Sequence, residues 1–174
     1  MSIYSRQDRH LPVRPNLDQL KQQAKDLLRN IRSGDPAAVE EFKKYHSKYA
    51  APDVRAGRRS GGQDVRAPRL ADAQLVLARS YGVASWPRLV QACKLIDAIW
   101  RDDVDAVREL VLKYPRLLHE NARGTEKCNW GPPMSYAANL GRDRIVEMLH
   151  ELGATWNTQS AGRHFKARSA PRGN

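Results

Sequence analysis

The chain has 174 residues, of which 41% are hydrophobic and 28% charged. That composition describes one globular domain with tails and excludes a disulfide scaffold or a wholly disordered acidic chain. A formal net charge of +11 directs attention to where the basic residues lie. No apolar run approaches the ~18 residues that a membrane span requires. The charged stretch Met1 to His10 does not read as a signal peptide. Cys93 and Cys128 are too few for a disulfide framework, so the expectation is a cytoplasmic protein with reduced thiols.

The positive excess concentrates in residues 1–16, 48–69 and 155–174, which carry +2, +4 and +4. These three stretches lack apolar periodicity. They read as a flexible amino-terminal arm (1–15), a basic insertion (48–69) and a disordered tail (158–174). Arms of this kind attract phosphate weakly and nonspecifically, without aiming side chains at base edges.

A helical period begins after Asn16: Leu17, Leu20, Ala24, Leu27, Leu28 and Ile31 recur at three- and four-residue spacing. Asn16 is placed to cap it and Gly34 to stop it. Asp35-Pro36 then opens a second helix carrying Ala38, Val39, Phe42 and Tyr45. From Ser47 to Arg69 the chain is rich in Gly, Pro, Arg and Ser, with Asp-Val-Arg-Ala at 53–56 and again at 64–67. A second hairpin follows, with Leu70, Ala73, Leu75, Val76, Leu77 and Ala78 on one helix, Gly82 at its end and Ser85 capping the next. That next helix presents Trp86, Leu89, Val90, Cys93, Leu95, Ile96, Ile99 and Trp100. No strand pattern of any length occurs, so the expected class is all-α.

Internal comparison aligns Asp102-Asp103-Val104 through Leu110 with Gly141-Arg142-Asp143 through Leu149, 39 residues on, and with Gly34-Asp35-Pro36 through Phe42, 68 residues back. Each copy is a tight turn, a polar first helical turn and apolar residues facing one way. Such a repeat is the pattern of a stacked helical solenoid.

Residues 132–157 carry a more specific pattern: Pro132-Pro133-Met134-Ser135-Tyr136-Ala137-Ala138, Gly141, Ile145-Val146, Leu149, and Gly153-Ala154-Thr155-Trp156-Asn157. This resembles the ankyrin repeat. Pro132 stands where that family has a capping threonine, and Ser135 where it has histidine. The unit at 96–129 matches only in its second helix and turn. The motifs at Leu11–Leu28 and Leu70–Leu89 are similar to a helical region found in bacterial ankyrin-repeat proteins. The resemblance implies a helical amino-terminal region (16–95) followed by about two ankyrin-like units (96–157). It further implies a protein–protein interaction module, a scaffold or regulator without catalysis. Its binding surface would be the first helices and hairpin tips: Trp100, Arg101, Asn129, Trp130, Ser135 and Asn139. Trp130 at such a tip is either a binding anchor or a side chain folded back on Tyr114 or Leu118.

Rival chemistries fit less well. His10, His46, His119, His150 and His164 are scattered, and neither cysteine has a ligand partner at metal-binding spacing, so neither a metal nor a cofactor is expected. Asp102, Asp103 and Asp105 suit the positive end of a helix dipole better than a cation. The alternative function is nucleic-acid binding through a helix-turn-helix-like segment at 74–91 and the basic arms. Its weakness is Pro87 and Trp86 in the recognition position. A carboxy-terminal face around Met148, Leu152 and Trp156, lacking a capping unit, is expected to be partly uncovered and able to self-associate.

Overall fold

The computed structural model describes residues 9–49, 67–124 and 130–156, whose regular structure is all helical with no strand among them. Seven α-helices occur among the described residues: α1 (Leu17–Arg32), α2 (Pro36–Tyr45), α3 (Leu70–Ser80), α4 (Trp86–Trp100), α5 (Val104–Lys113), α6 (Pro133–Asn139) and α7 (Asp143–Glu151). None is long and apolar enough to cross a membrane. The chain divides into two compact units, Met1–Val90 and Gln91–Asn174, with the division inside α4.

In the first unit α1, α2 and α3 pack on one another. The Asn16 carboxamide accepts from the Asp18 and Gln19 amides, and Asp35 accepts from the Ala37 amide at 2.8 Å, so both expected caps are in place. The core joins Ala24, Leu27, Ala38, Phe42, Tyr49, Ala73, Val76 and Leu77, with Trp86 packed against it. Leu70 opens α3 as expected and lies 38% exposed at the helix start.

Parts of the stretches read as flexible are ordered. Leu11 is buried, and Arg9 pairs with Glu41 at 3.1 Å, so residues 9–15 belong to the fold. Ser47–Tyr49 form a 3-10 turn whose Tyr49 enters the core edge-on to Phe42 and His46. His46 Nδ1 accepts from the Lys48 amide at 3.3 Å, which places the imidazole proton on Nε2, 3.1 Å from Asp72 Oδ1. The other oxygen of Asp72 accepts from the Arg69 amide at 2.8 Å and starts α3. Two aromatic residues and a satisfied polar chain thus outweigh the glycine- and arginine-rich composition at the edges of that stretch. The rest of it, 50–66, including the first Asp-Val-Arg-Ala copy, lies outside the described residues, as do residues 1–8 and 157–174.

Burial, together with the Asp72 carboxylate, raises the Tyr49 phenol above its ordinary 10.0. The folded state therefore holds this proton more tightly than the unfolded chain. Its contribution to stability is complete below pH ~10 and is lost as pH rises beyond that. Urea unfolding followed between pH 8 and 11 is expected to show a fall in midpoint above pH ~10 that is shallower in Tyr49→Phe.

In the second unit α7 packs on both α5 and α6, and the 3-10 turn Pro115–Leu118 packs on α5 and α6. Cys93 is buried, and burial pushes its thiol up to about 12, which makes it a packing residue and not a nucleophile. Cys128 lies outside the described residues.

The three aligned segments share one backbone turn. At Gly34, Asp102 and Gly141 φ is +79°, +58° and +67°. In each case the next amide, that of Asp35, Asp103 or Arg142, donates at 3.0 Å to the carbonyl five residues back, on Asn30, Ala98 or Ala137. This is the Schellman closure, and in all three copies the second residue is also the cap of the following helix. Asp103 accepts from the Ala106 amide at 3.0 Å, so the acidic cluster opens α5 as expected. Asp102 alone carries a side chain at the left-handed position. Asp102→Gly is expected to stabilise by ~0.5 kcal/mol, and Gly141→Ala to destabilise by ~1 kcal/mol. A Cβ at Gly141 meets nothing within 4 Å, so that cost is conformational alone. Thermal midpoints shifting in opposite directions check it; equal shifts would refute the shared turn.

Candidate functional site

Trp100 is the last residue of α4, and the turn at Asp102 sends the chain straight into α5. Trp130 lies just before α6. There the Ala122 amide donates to the Gly131 carbonyl at 2.9 Å and closes the loop leading to the helix. Pro132 is extended and Pro133 starts the helix, where a missing amide hydrogen costs nothing. All residues from Pro133 to Ala137 are buried.

Tyr136 joins these parts. It is fully buried, and its hydroxyl accepts from the Trp100 indole N–H at 3.0 Å. The Trp130 ring sits 4.8 Å from the Tyr136 ring at 45°. Arg142, at the cap of α7, donates from Nη2 to the Trp100 carbonyl at 2.8 Å, and its Nε is buried without a hydrogen-bond partner. Both tryptophans are only half-buried. The result is two partly exposed indoles held in fixed orientation by a buried phenol. Rigid aromatic groups of this kind give contact area at low entropic cost.

The other expected site residues fall in different places. Arg101 is exposed and pairs with Asp97 at 3.0 Å and Asp103 at 3.4 Å. Asn139 is exposed at the end of α6. Ser135 is only 4% exposed, which takes it off the accessible surface: α6 is short and buried on every side of its first turns. Asn129 lies outside the described residues. Trp130 folds back on Tyr136, not on Tyr114 or Leu118.

Sequence reasoning missed Tyr136 and Arg142. The signal for Tyr136 was chemical: a tyrosine among alanines and prolines in a buried helix needs a hydrogen-bond partner for its hydroxyl.

On the carboxy-terminal face Met148 is buried and Leu152 half-buried, while Trp156 is 41% exposed. His119 Nδ1 lies 3.2 Å from the Thr155 hydroxyl and holds that segment down. Among the described residues no group of three or more His, Cys, Asp or Glu is placed to hold a metal ion. Comparison with family models, with curated proteins and with solved structures finds no match to this chain, so the reading of the site rests on its residues.

Proposed function

We propose that this chain is a protein–protein interaction module of the ankyrin-repeat type, a scaffold or regulator that performs no chemistry itself. Its partner docks on the exposed parts of Trp100 and Trp130, and on exposed Arg101, which follows Trp100 in the chain. The observation that carries the reading is the pair of half-exposed indoles fixed around the buried Tyr136. Interfaces are enriched in tryptophan and arginine, and a prealigned side chain loses little freedom on binding. The α6–α7 hairpin, with turns at Gly141 and Gly153, supports the repeat assignment.

The helix-turn-helix alternative is less well supported. Of α4, which would be its recognition helix, only Pro87, Arg88 and Lys94 are exposed. A helix lying in a major groove needs a free face.

The test is affinity capture with wild-type chain, followed by reconstitution with the purified captured protein. Trp130→Ala is expected to weaken that complex by 30-fold or more, the scale of a hot spot of about 2 kcal/mol. Arg101→Gln, which removes an exposed charge without setting a further carboxylate beside Asp97 and Asp103, should weaken it as well. A partner that binds wild-type and both variants alike would overturn the assignment.

A further inference from the structure

The two units differ in charge. The described residues of the first, 9–49 and 67–90, hold twelve lysines and arginines against six carboxylates, whereas 91–124 and 130–156 hold eight against nine. Those six carboxylates are all engaged. Asp18, Asp26, Glu40 and Glu41 pair with Lys21, Arg29, Lys43 and Arg9, Asp72 faces His46, and Asp35 caps α2. Among the described residues none of them pairs with Arg32, Lys44, Lys48, Arg69 or Arg79, which are all exposed.

These five cations are grouped by the fold. The Arg32 guanidinium donates from Nε and Nη2 to the Pro68 carbonyl, at 3.3 and 3.0 Å, and so stands beside Arg69 at the start of α3. Arg79, ten residues along, donates from Nη1 to the Tyr45 carbonyl at 2.8 Å. Lys44 lies over the Tyr45 ring at 5.1 Å, and Lys48 follows in the adjoining turn. Anchoring on a carbonyl leaves each guanidinium further N–H donors pointing outward. At a helical rise of 1.5 Å per residue the backbones of Arg69 and Arg79 lie ~15 Å apart along α3.

We propose that the first unit binds the phosphate backbone of double-stranded nucleic acid through Arg32, Lys44, Lys48, Arg69 and Arg79, without reading base sequence. A duplex carries one charge per ~1.7 Å of axis, so ~15 Å of it carries about nine phosphates on its two strands, and those on the near side meet the cations. Leu70 is the one large hydrophobic side chain exposed among the described residues of this unit, and Tyr45, Tyr81 and Trp86 are at least half-buried. The described residues of this unit therefore offer neither the stacking platform that single strands use nor the apolar face that inserts into a lipid surface. This function is separate from the indole site of the second unit.

The experiment is fluorescence anisotropy of the full chain with a labelled random-sequence duplex, titrated with salt. Each lost phosphate contact lowers the slope of log affinity against log salt by ~0.9. The quadruple variant Arg32→Gln, Lys44→Gln, Arg69→Gln, Arg79→Gln should lower it by ~3.6 relative to wild type. Arg32 and Arg79 also tie helix ends, so Lys44→Gln with Arg69→Gln serves as the variant that keeps those ties, with an expected loss of ~1.8. A control removes the same charge from the second unit: Lys94→Gln, Arg108→Gln, Lys113→Gln, Arg144→Gln. It should leave the slope unchanged. Equal losses in control and quadruple variant would make the effect one of net charge and overturn the site. Absence of duplex binding by wild type, or tighter binding to phosphatidylserine vesicles than to duplex, would overturn it too.

Discussion

Tyr136→Ala is expected to destabilise the protein by ~3–5 kcal/mol, the cost of emptying a fully buried aromatic site that its neighbours cannot refill. The surroundings explain why collapse is poor. Pro132 and Pro133 hold the backbone on one side. On the other, the Trp100 carbonyl is tied to Arg142, and the Trp100 indole N–H loses its acceptor. Tyr136→Phe keeps the ring and the 4.8 Å contact with Trp130, and removes only the hydroxyl. Because Trp100 is half-buried, water can take its N–H, and the loss should be about 1 kcal/mol. At 2–4 °C per kcal/mol, the alanine variant should melt roughly 6–20 °C lower and the phenylalanine variant roughly 2–4 °C lower. Tryptophan emission should shift to the red in Tyr136→Ala, since Trp130 loses the ring it rests on. Equal melting of the two variants would show that the hydroxyl, not the ring, organises the cluster.

Much of the fold was legible because local chemistry and tertiary packing agree. Asn16, Asp35 and Asp103 are cap residues followed by apolar periods, and each one caps its helix in the structure. The alignment of Asp102 with Gly34 and Gly141 was a statement about sequence spacing. It turns out to be one about backbone geometry, since all three adopt positive φ. What escaped was decided by contacts far apart in sequence. Tyr49 and His46 are set by Phe42 and Asp72, and nothing within the arginine-rich run after Ser47 announces that Tyr49 is core. The same holds for the indole site. Trp100 and Trp130 were marked as surface candidates, but the residue that joins them lies 36 positions after Trp100. Ser135 failed for a simpler reason. A seven-residue helix with two prolines at its start has no room for a polar outer face once its neighbours close over it.

Phe42→Ala should have an effect of similar size in the first unit, again ~3–5 kcal/mol. Phe42 is completely buried and is the only phenylalanine in that core. The Tyr49 ring meets it edge-on at 5.2 Å and 88°, and the His46 ring lies parallel to it at 6.5 Å. Removing Phe42 therefore takes away more than apolar area, because it frees the 3-10 turn that carries Tyr49 and loosens the His46–Asp72 contact joining α2 to α3. Phe42→Leu keeps most of the volume and should cost less than about 1.5 kcal/mol. The two variants separate packing from side-chain chemistry: if volume alone matters, Leu restores nearly all of the stability, and if the aromatic contacts add to it, a residual loss of about 1 kcal/mol persists. Amide exchange provides the spatial readout. In Phe42→Ala it should quicken first in α2 and in the Ser47–Tyr49 turn, then in α1 and α3, which share the cluster. Unchanged protection in those elements would mean that Phe42 fills space without holding them together.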